Sequence, residues 1–192
     1  MKYNVMEIPD GKSGPWEVST FEVTEEDIKF ENLRAMFKPG CRTMQPGKFK
    51  RLTRNGSVIM SNTPAEIADY RHFIWKAKGH VLINGLGLGC VLAEVLNKDD
   101  IQTVDVVELE PDVIDLVGKY FQKDSRLRIY NADSYDFNPI KVTRYNAVWH
   151  DIWDNICADN LDGMAKLHRK YGRRSDYQAS WCKHLCQRYA GR

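Results

Sequence analysis

The stretch that decides the fold is HVLINGLGLGCVLAEVLNKDDIQTVDVVELEPDVIDL, residues 80–116. Its opening apolar run predicts a buried strand, and Gly85, Gly87 and Gly89 follow that strand in a G-x-G-x-G pattern. Glycine permits a sharp strand-to-helix turn and lets a ligand approach the backbone closely. Glu108 ends the next apolar run, about twenty residues further on, where a carboxylate can accept both hydroxyls of a ribose. The pattern predicts a nucleoside-cofactor site; the alternative interpretation is a tight turn followed by an ordinary surface acid.

Strand-like and helix-like segments alternate through the middle of the chain. In chain order they are VLING, CVLAEVLNK, TVDVVELE, PDVIDLVGKYF, RLRIYNAD and YNAVWHDI. This alternation predicts an α/β fold with a Rossmann-like parallel sheet, helices on both faces and ligands at the carboxyl ends of the strands. The sequence after residue 152 is predicted to be helical throughout. We therefore expect a sheet that is truncated after its fourth core strand.

Three regions are predicted along the chain. Residues 1–62 form a β-rich N-terminal extension whose hairpin turns at Asn55-Gly56, because both residue types tolerate positive φ. Residues 63–154 form the Rossmann-like cofactor-binding core, and residues 155–192 form a basic helical C-terminal segment of the same domain. The segment 10–47, rich in glycine and proline, is a candidate lid over the pocket.

A capping box is predicted where the core begins, in TPAEIADYRHFIWKAKG. Thr63 is placed to cap the helix, Pro64 fits the first helical position, and Glu66 follows Thr63 by three residues. Gly79 is placed to end the same helix.

Length and composition describe one ordinary globular domain. The 192 residues are 43% hydrophobic and carry a formal net charge of +2, and this length suffices to bury a core. The chain has no apolar run long enough to cross a bilayer and no signal-peptide core, so we expect a cytoplasmic protein that does not associate with membranes. Five cysteines, an odd number, predict free thiols. No metal site is expected at CKHLC, because on a helix His184 points away from Cys182 and Cys186.

Basic residues are concentrated near the end of the chain. Residues 161–192 hold eight lysines and arginines against two aspartates, with three tyrosines and one tryptophan among them. Basic residues interleaved with aromatics can bind nucleic acid through phosphates and stacked bases. The favoured interpretation is an amphipathic helix with one charged and one apolar face, so nucleic acid is a partner that we consider but do not favour.

Acidic residues follow two further predicted strands. Asp133 follows the third core strand, where a carboxylate can accept from the exocyclic amine of adenine. Asp151 and Asp154 follow the fourth, where two acids can hold and deprotonate an amine. Asp154 has the alternative interpretation of a helix N-cap. His150 is expected to point away from Asp151 as a structural residue, and its alternative role is that of a base.

Taken together, LTRNGSVIMSN, GLGLGCVLAEVL, VVELEPDVIDL, NADSYDF and YNAVWHDIWDN resemble class I S-adenosylmethionine-dependent methyltransferases, specifically their spermidine-synthase-like branch. The resemblance spans about residues 51–154. It implies that the glycines of residues 85–89 face the methionine part of the cofactor, that Glu108 holds the ribose and that Asp133 holds the adenine. It also implies that Asp151, together with Asp154, faces the acceptor.

One departure from that branch affects the expected activity. Aminopropyltransferases carry an aspartate inside the glycine motif, which helps to hold the aminopropyl end of the donor, and Leu88 stands at the equivalent position here. We therefore favour an S-adenosylmethionine-dependent methyltransferase acting on a small-molecule acceptor such as an amine, with Asp151 removing the proton. The alternatives are an aminopropyltransferase using decarboxylated S-adenosylmethionine and a nucleic-acid-binding methyltransferase-like protein. An NAD-linked enzyme ranks last, because no hydride-transfer constellation is recognisable.

The predicted truncation of the sheet bears on assembly. An uncovered strand edge favours pairing with another chain. We therefore expect a homo-oligomer in which helices or the N-terminal hairpin cover that edge.

Overall fold

The computed structural model describes residues 3–29, 45–139 and 144–191. After a short 3₁₀ helix, Val5–Glu7, the N-terminal region forms a four-stranded antiparallel sheet in the order β1-β2-β3-β4. Its strands are β1 (Gly11–Ser13), β2 (Trp16–Val23), β3 (Gly47–Arg54) and β4 (Ser57–Ser61). Asn55 and Gly56 connect β3 to β4 with φ of 50° and 80°. The hairpin predicted from this dipeptide is confirmed, and it belongs to a larger sheet.

A five-stranded parallel sheet forms the core in the order β7-β6-β5-β8-β9. Its strands are β5 (Gly79–Asn84), β6 (Ile101–Glu108), β7 (Leu127–Asn131), β8 (Tyr145–His150) and β9 (Ser175–Ser180). The predicted α/β fold is confirmed.

The expected truncation of this sheet is wrong, because β9 pairs with β8 as a fifth parallel strand. Its sequence, SDYQAS, has no apolar run and only one aromatic residue. A strand at the edge of a sheet is covered less than a central one, and β9 is fully buried only at its two ends. Pairing with β8, rather than local sequence, therefore makes this segment a strand.

Helices cover both faces of the parallel sheet. They are α1 (Pro64–Lys76), α2 (Cys90–Leu96), α3 (residues 111–121), α4 (Asn160–Tyr171) and α5 (Lys183–Ala190). Helix α3 consists of Pro111–Val113, the π-helical turn Ile114–Gly118 and Lys119–Phe121. Val81 and Ile83 of β5 pack with Phe73 of α1 in the larger apolar cluster, whereas Leu82 packs with Leu167 of α4. This alternation follows from the two-residue period of a strand.

The start of α1 differs in detail from the predicted capping box. Thr63 makes no side-chain capping bond. The carboxylate of Glu66 instead accepts from the Ser61 backbone nitrogen at 2.8 Å and from its hydroxyl at 2.7 Å. The helix ends at Lys76, and Gly79 opens β5 with φ of 59° rather than ending the helix. Glu66 is thereby fixed beside the end of β4.

The remaining local predictions concern the lid, membrane spans and metal sites. The candidate lid, residues 10–47, includes residues 30–44, which lie outside the described ranges, and its described part contains β1 and β2. Over the described ranges no helix is long and apolar enough to cross a membrane. Within those same ranges, no cluster of three or more His, Cys, Asp or Glu side chains has a metal-binding arrangement.

Candidate functional site

A cavity of about 510 Å³ lies at the carboxyl ends of β5, β6 and β8, below the β3–β4 hairpin. The carboxyl ends of parallel strands are where α/β sheets bind ligands. The predicted site acids Glu108, Asp133, Asp151 and Asp154 all line it, as do Gly85 and Gly87 of the glycine turn. The structure therefore brings together nearly the whole set of residues that the sequence singles out, and Gly89 supports it from the start of α2.

The glycine turn after β5 needs glycine for two physical reasons. Gly85, Gly87 and Gly89 have φ of 93°, 51° and 76°, values that side chains disfavour. A Cβ at Gly85 would also overlap the backbone carbonyl of Asp151. Gly85 therefore allows the loop after β8 to lie directly against the turn.

Glu108, at the end of β6, is buried and holds the glycine turn in place. Its Oε2 accepts from the Leu86 backbone nitrogen at 2.7 Å, and its Oε1 accepts from the Glu110 backbone nitrogen at 2.9 Å. Burial raises the pKa of this carboxyl, while the bonds from backbone amides oppose that rise. A carboxylate has about four acceptor positions. Backbone amides, including those of Gly87 and Leu109, use several of these positions and fix the direction of the carboxylate, which also lines the cavity.

Asp133 follows β7 and lines the same cavity. Its Oδ1 accepts from the Tyr135 backbone nitrogen at 2.7 Å, an Asx turn that fixes the side chain. Ser134, beside it, is buried and also lines the cavity. The segment is therefore held where a nucleobase could lie against it.

Asp151 begins the loop after β8 and has few partners for its carboxylate. Trp149 Nε1 lies 3.4 Å from Oδ2, a long hydrogen bond. Burial raises the pKa of Asp151 to about 7, and the neighbouring charges of Glu66, Asp69 and Glu108 act in the same direction. Such a group changes its protonation state near neutral pH, as a general base for an amine requires.

Asp154 lies at the mouth of the cavity and is about half exposed. Its Oδ2 lies 3.5 Å from Nη1 of Arg54, and the Arg54 guanidinium in turn lies over the Trp16 ring at 5.4 Å from its centroid. The interpretation of Asp154 as a helix N-cap is wrong, because the next helix begins only at Asn160. Asp154 is instead part of a contact between the hairpin and the loop after β8.

His150 lies on the opposite side of the sheet from Asp151, as expected. It is fully buried, with Nδ1 2.8 Å from Asn84 Nδ2 and Nε2 3.2 Å from Gln178 Oε1. Burial lowers the pKa of His150 to about 3. The residue does not line the cavity, so the role of a base at this site does not fit its position.

The cavity is strongly acidic. Six carboxylates line it, from Glu66, Glu108, Glu110, Asp133, Asp151 and Asp154. Within the described part of the chain, Arg54 is the one lysine or arginine in the lining. Three tryptophans, Trp16, Trp153 and Trp181, supply flat apolar surface. Carboxylates concentrated in a concave site attract cations, and aromatic faces add to that attraction.

Sequence reasoning missed several of these lining residues. Glu66 is predicted only as part of a capping box, and Arg54 is not singled out by the sequence. Both reach the cavity through tertiary packing, so no local pattern identifies them. The one local feature that points to Arg54 is its position beside a predicted hairpin that precedes the cofactor-binding core.

Comparison with known proteins finds sequence similarity to polyamine aminopropyltransferases. No family model matches it. It is 34% identical to a polyamine aminopropyltransferase of Lachnospira eligens over 56% of this chain and 41% of that protein. It is also 34% identical to a polyamine aminopropyltransferase of Buchnera aphidicola from Acyrthosiphon pisum over 42% of this chain and 31% of that protein. The chain thus spans less than half the length of the curated relatives it matches.

Solved structures add two points of comparison. Spermidine synthase from Thermotoga maritima aligns with 20% identity and a TM-score of 0.42, over 73% of this chain and 45% of that one. The N-methyltransferase NodS from Bradyrhizobium japonicum aligns with 10% identity and a TM-score of 0.48, over 66% and 74%. The sequence matches alone confirm the predicted resemblance to the spermidine-synthase-like branch of class I methyltransferase folds.

Proposed function

We propose that this chain is a transferase that moves an alkyl group from the sulfonium of an adenosyl donor to an amine. One observation carries the proposal: Glu108 at the end of β6 and Asp151 after β8, the two strands that flank β5, line one acidic cavity that is closed on one side by a glycine turn. The first of these carboxylates suits a ribose, and the second suits an ammonium that must lose a proton.

The donor would be held by residues whose geometry fits it. Glu108 lines the cavity with a carboxylate whose direction is fixed and would accept from the ribose hydroxyls, and the missing side chains of Gly85 and Gly87 leave the turn's backbone accessible. Asp133, fixed by its Asx turn, would accept from the exocyclic amine of adenine. The acidic lining suits a cationic sulfonium, whose charge it would offset.

Asp151 would do the proton chemistry. When bound, the donor supplies an electrophilic carbon: a nitrogen–carbon bond forms, a carbon–sulfur bond breaks, and its electron pair stays on sulfur. Asp151 takes the proton that the acceptor nitrogen loses, because its pKa of about 7 leaves much of it ionised at neutral pH. Asp154 is the second acid on this side, and the tryptophans exclude water and orient the amine.

The transferred group is a methyl in our leading proposal. Leu88, at the position where the resemblance places an aspartate in aminopropyltransferases, is fully buried in the apolar core. It offers no anionic partner to the ammonium at the end of an aminopropyl group. S-adenosylmethionine is therefore the proposed donor, and a small amine is the proposed acceptor.

Aminopropyl transfer is the second candidate, and the named relatives favour it. Both curated proteins reported above are polyamine aminopropyltransferases. Six carboxylates could hold several ammonium groups, including that of decarboxylated S-adenosylmethionine. The transferred group is thus the point on which experiment must decide.

We further propose that the chain acts as a homo-oligomer and that nucleic acid is not its substrate. β7 and β9 are the outer strands of the parallel sheet among the described residues, and each offers an edge to a second copy. Light scattering at micromolar concentration should report more than one chain per particle. A monomer there would remove the homo-oligomer from the proposal.

Product analysis separates the candidates. The purified chain is incubated with either S-adenosylmethionine or its decarboxylated form and a panel of linear diamines and polyamines, and products are identified by mass spectrometry. Methyl transfer gives a methylated amine and S-adenosylhomocysteine; aminopropyl transfer gives a longer polyamine and methylthioadenosine. Asp151→Asn is the matched control, and a product that forms equally fast in this variant would count against the assigned site.

A further inference from the structure

Among the described residues, Arg54 is the one lysine or arginine that lines this acidic cavity. Its positive charge stands among six lining carboxylates, and its side chain remains about half exposed at the mouth. A cavity that only had to bind ammonium and sulfonium groups would gain nothing from a guanidinium. The charge of Arg54 therefore indicates that one part of the ligand is anionic.

The guanidinium is held in place yet keeps donors free. The Trp16 ring supports it from one side at 5.4 Å, and Trp16 Nε1 lies 3.4 Å from a Glu110 carboxylate oxygen. Asp154 contacts it through one oxygen at 3.5 Å, beyond the length of a normal charge-assisted hydrogen bond. A guanidinium has five donor hydrogens in a planar fork. Within the described part of the chain this one long contact leaves most of the fork for a ligand.

Arg54 is also near the glycine turn. Leu52, two residues before it on β3, lies opposite Met60 of β4, and Met60 Sδ lies 3.3 Å from the Leu88 backbone nitrogen. Two residues along a strand span roughly 7 Å. The side chain of Arg54 is thus anchored within reach of the turn against which the methionyl end of an adenosyl donor would lie.

We infer that Arg54 is the donor-selecting residue of this site: its guanidinium binds the carboxylate at the methionyl end of S-adenosylmethionine. The inference rests on the proposed function, which it deepens by choosing between the two donors. Decarboxylated S-adenosylmethionine has no carboxylate to offer and would bring only its ammonium toward this cation.

Two independent features act in the same direction. A guanidinium–carboxylate ion pair with two parallel hydrogen bonds is directional and strong, which favours the carboxylated donor. Leu88 supplies no anion for the ammonium that both donors carry, and only S-adenosylmethionine has a carboxylate of its own beside that charge. Selectivity follows from an attraction to one ligand combined with an unfavourable contact for the other.

A purely structural role for Arg54 makes a different prediction. The Arg54–Asp154 contact joins the β3–β4 hairpin to the loop after β8, so it could serve only to keep the cavity's two walls together. In that case, removal of either partner should weaken both donors alike. If Arg54 binds the donor, only the arginine should matter, because loss of Asp154 frees the guanidinium further.

The test measures affinities of S-adenosylmethionine, its decarboxylated form and S-adenosylhomocysteine by calorimetry. Arg54→Gln should weaken both carboxylated ligands by roughly ten- to a hundredfold and leave the decarboxylated one unchanged or tighter. Arg54→Lys keeps the charge without the fork and should fall between wild type and Arg54→Gln. Asp154→Asn should leave the carboxylated ligands unchanged or tighter. Thermal unfolding checks that each variant is folded.

Each contrary outcome has a distinct meaning. Equal weakening of both donors by Arg54→Gln and by Asp154→Asn would show a structural contact and overturn the inference. Unchanged affinities in Arg54→Gln would overturn it as well. In both cases the proposed function survives, because wild type still binds a donor. A folded wild-type chain that binds none of the three ligands would overturn the proposed function and the inference with it.

Discussion

His150 and Asp151 are consecutive residues at the end of one strand, and their surroundings are opposite. His150 faces α4 and is fully buried, with both ring nitrogens near amide groups of Asn84 and Gln178. Asp151 faces the cavity, where one indole nitrogen at 3.4 Å is the hydrogen-bond partner seen among the described residues. The difference follows from the alternation of side chains along a strand.

Burial disfavours the charged form of both groups but with different consequences. It lowers the pKa of His150 to about 3, and the side-chain amides of Asn84 and Gln178 satisfy the hydrogen bonds of the neutral ring. His150 therefore has a structural role. Burial raises the pKa of Asp151 to about 7, and one long hydrogen bond from Trp149 is a poor replacement for the water that the carboxylate loses on burial. A carboxyl group left in that condition beside a cavity is the one positioned to act on a ligand.

The sharpest contrast should appear in turnover. Asp151→Asn should lower the rate of transfer by about 10²–10⁴-fold, the range for loss of a general base, because an amide cannot take the proton. His150→Leu should leave the rate per folded molecule nearly unchanged. Initial rates with saturating donor and amine measure both. Comparable losses of transfer rate in the two variants would contradict the assignment of separate roles to the two faces of the sheet.

The backbone at the strand end is expected to be as sensitive as the chemistry. Gly85→Ala should lower the free energy of unfolding by about 3 kcal/mol, because it adds a clash with the Asp151 carbonyl to an unfavourable φ. Gly56→Ala is the matched control, since its φ is 80° and no atom lies within 4 Å of the added Cβ. Urea unfolding compares them, and equal losses would mean that the loop after β8 does not pack against the turn.

The opposite face should show its importance in stability. His150→Leu leaves the side-chain amides of Asn84 and Gln178 without their imidazole partner and should cost about 2 kcal/mol. Its affinity for S-adenosylhomocysteine should not change. A variant that keeps its stability but loses this affinity would place His150 in the binding site.

The two residues should also differ in the pH dependence of stability. The folded-state pKa of Asp151 lies above its ordinary value of 3.8, so stability falls as pH rises from about 4 to about 7. That of His150 lies below its ordinary value of 6.5, so stability falls as pH drops from about 6.5 toward about 3. Relative to wild type, Asp151→Asn should therefore gain stability with rising pH, and His150→Leu should lose it. Unfolding at a series of pH values tests this, and slopes of the same sign would contradict it.

Local sequence was sufficient for the centre of the fold and of the site. The glycines of residues 85–89, Glu108 and the Asn55-Gly56 turn each have a short-range physical reason for their residue type. The order of strands and helices followed from apolar runs that are buried in the structure, such as those of β5 and β6.

Elements that depend on tertiary pairing could not be predicted in the same way. β9 has too little apolar character to be recognised without β8 beside it. The sequence predicts Glu66 only as part of a helix cap, whereas its carboxylate bonds to Ser61 and lines the cavity. Asp154 and Arg54 meet only because the hairpin lies over the loop after β8, a contact between residues 100 positions apart.

The most direct test of the account is a calorimetric titration of S-adenosylhomocysteine into the wild-type chain and into Glu108→Ala. We predict saturable binding at one site, weakened by about 1–3 kcal/mol in the variant, the scale of charge-assisted hydrogen bonds. Glu108→Gln, which keeps one acceptor oxygen for the amides of the glycine turn, should lose less, and circular dichroism should show both variants folded. Equal affinity in wild type and in a folded Glu108→Ala variant would contradict the claim that this cavity binds the adenosyl ligand.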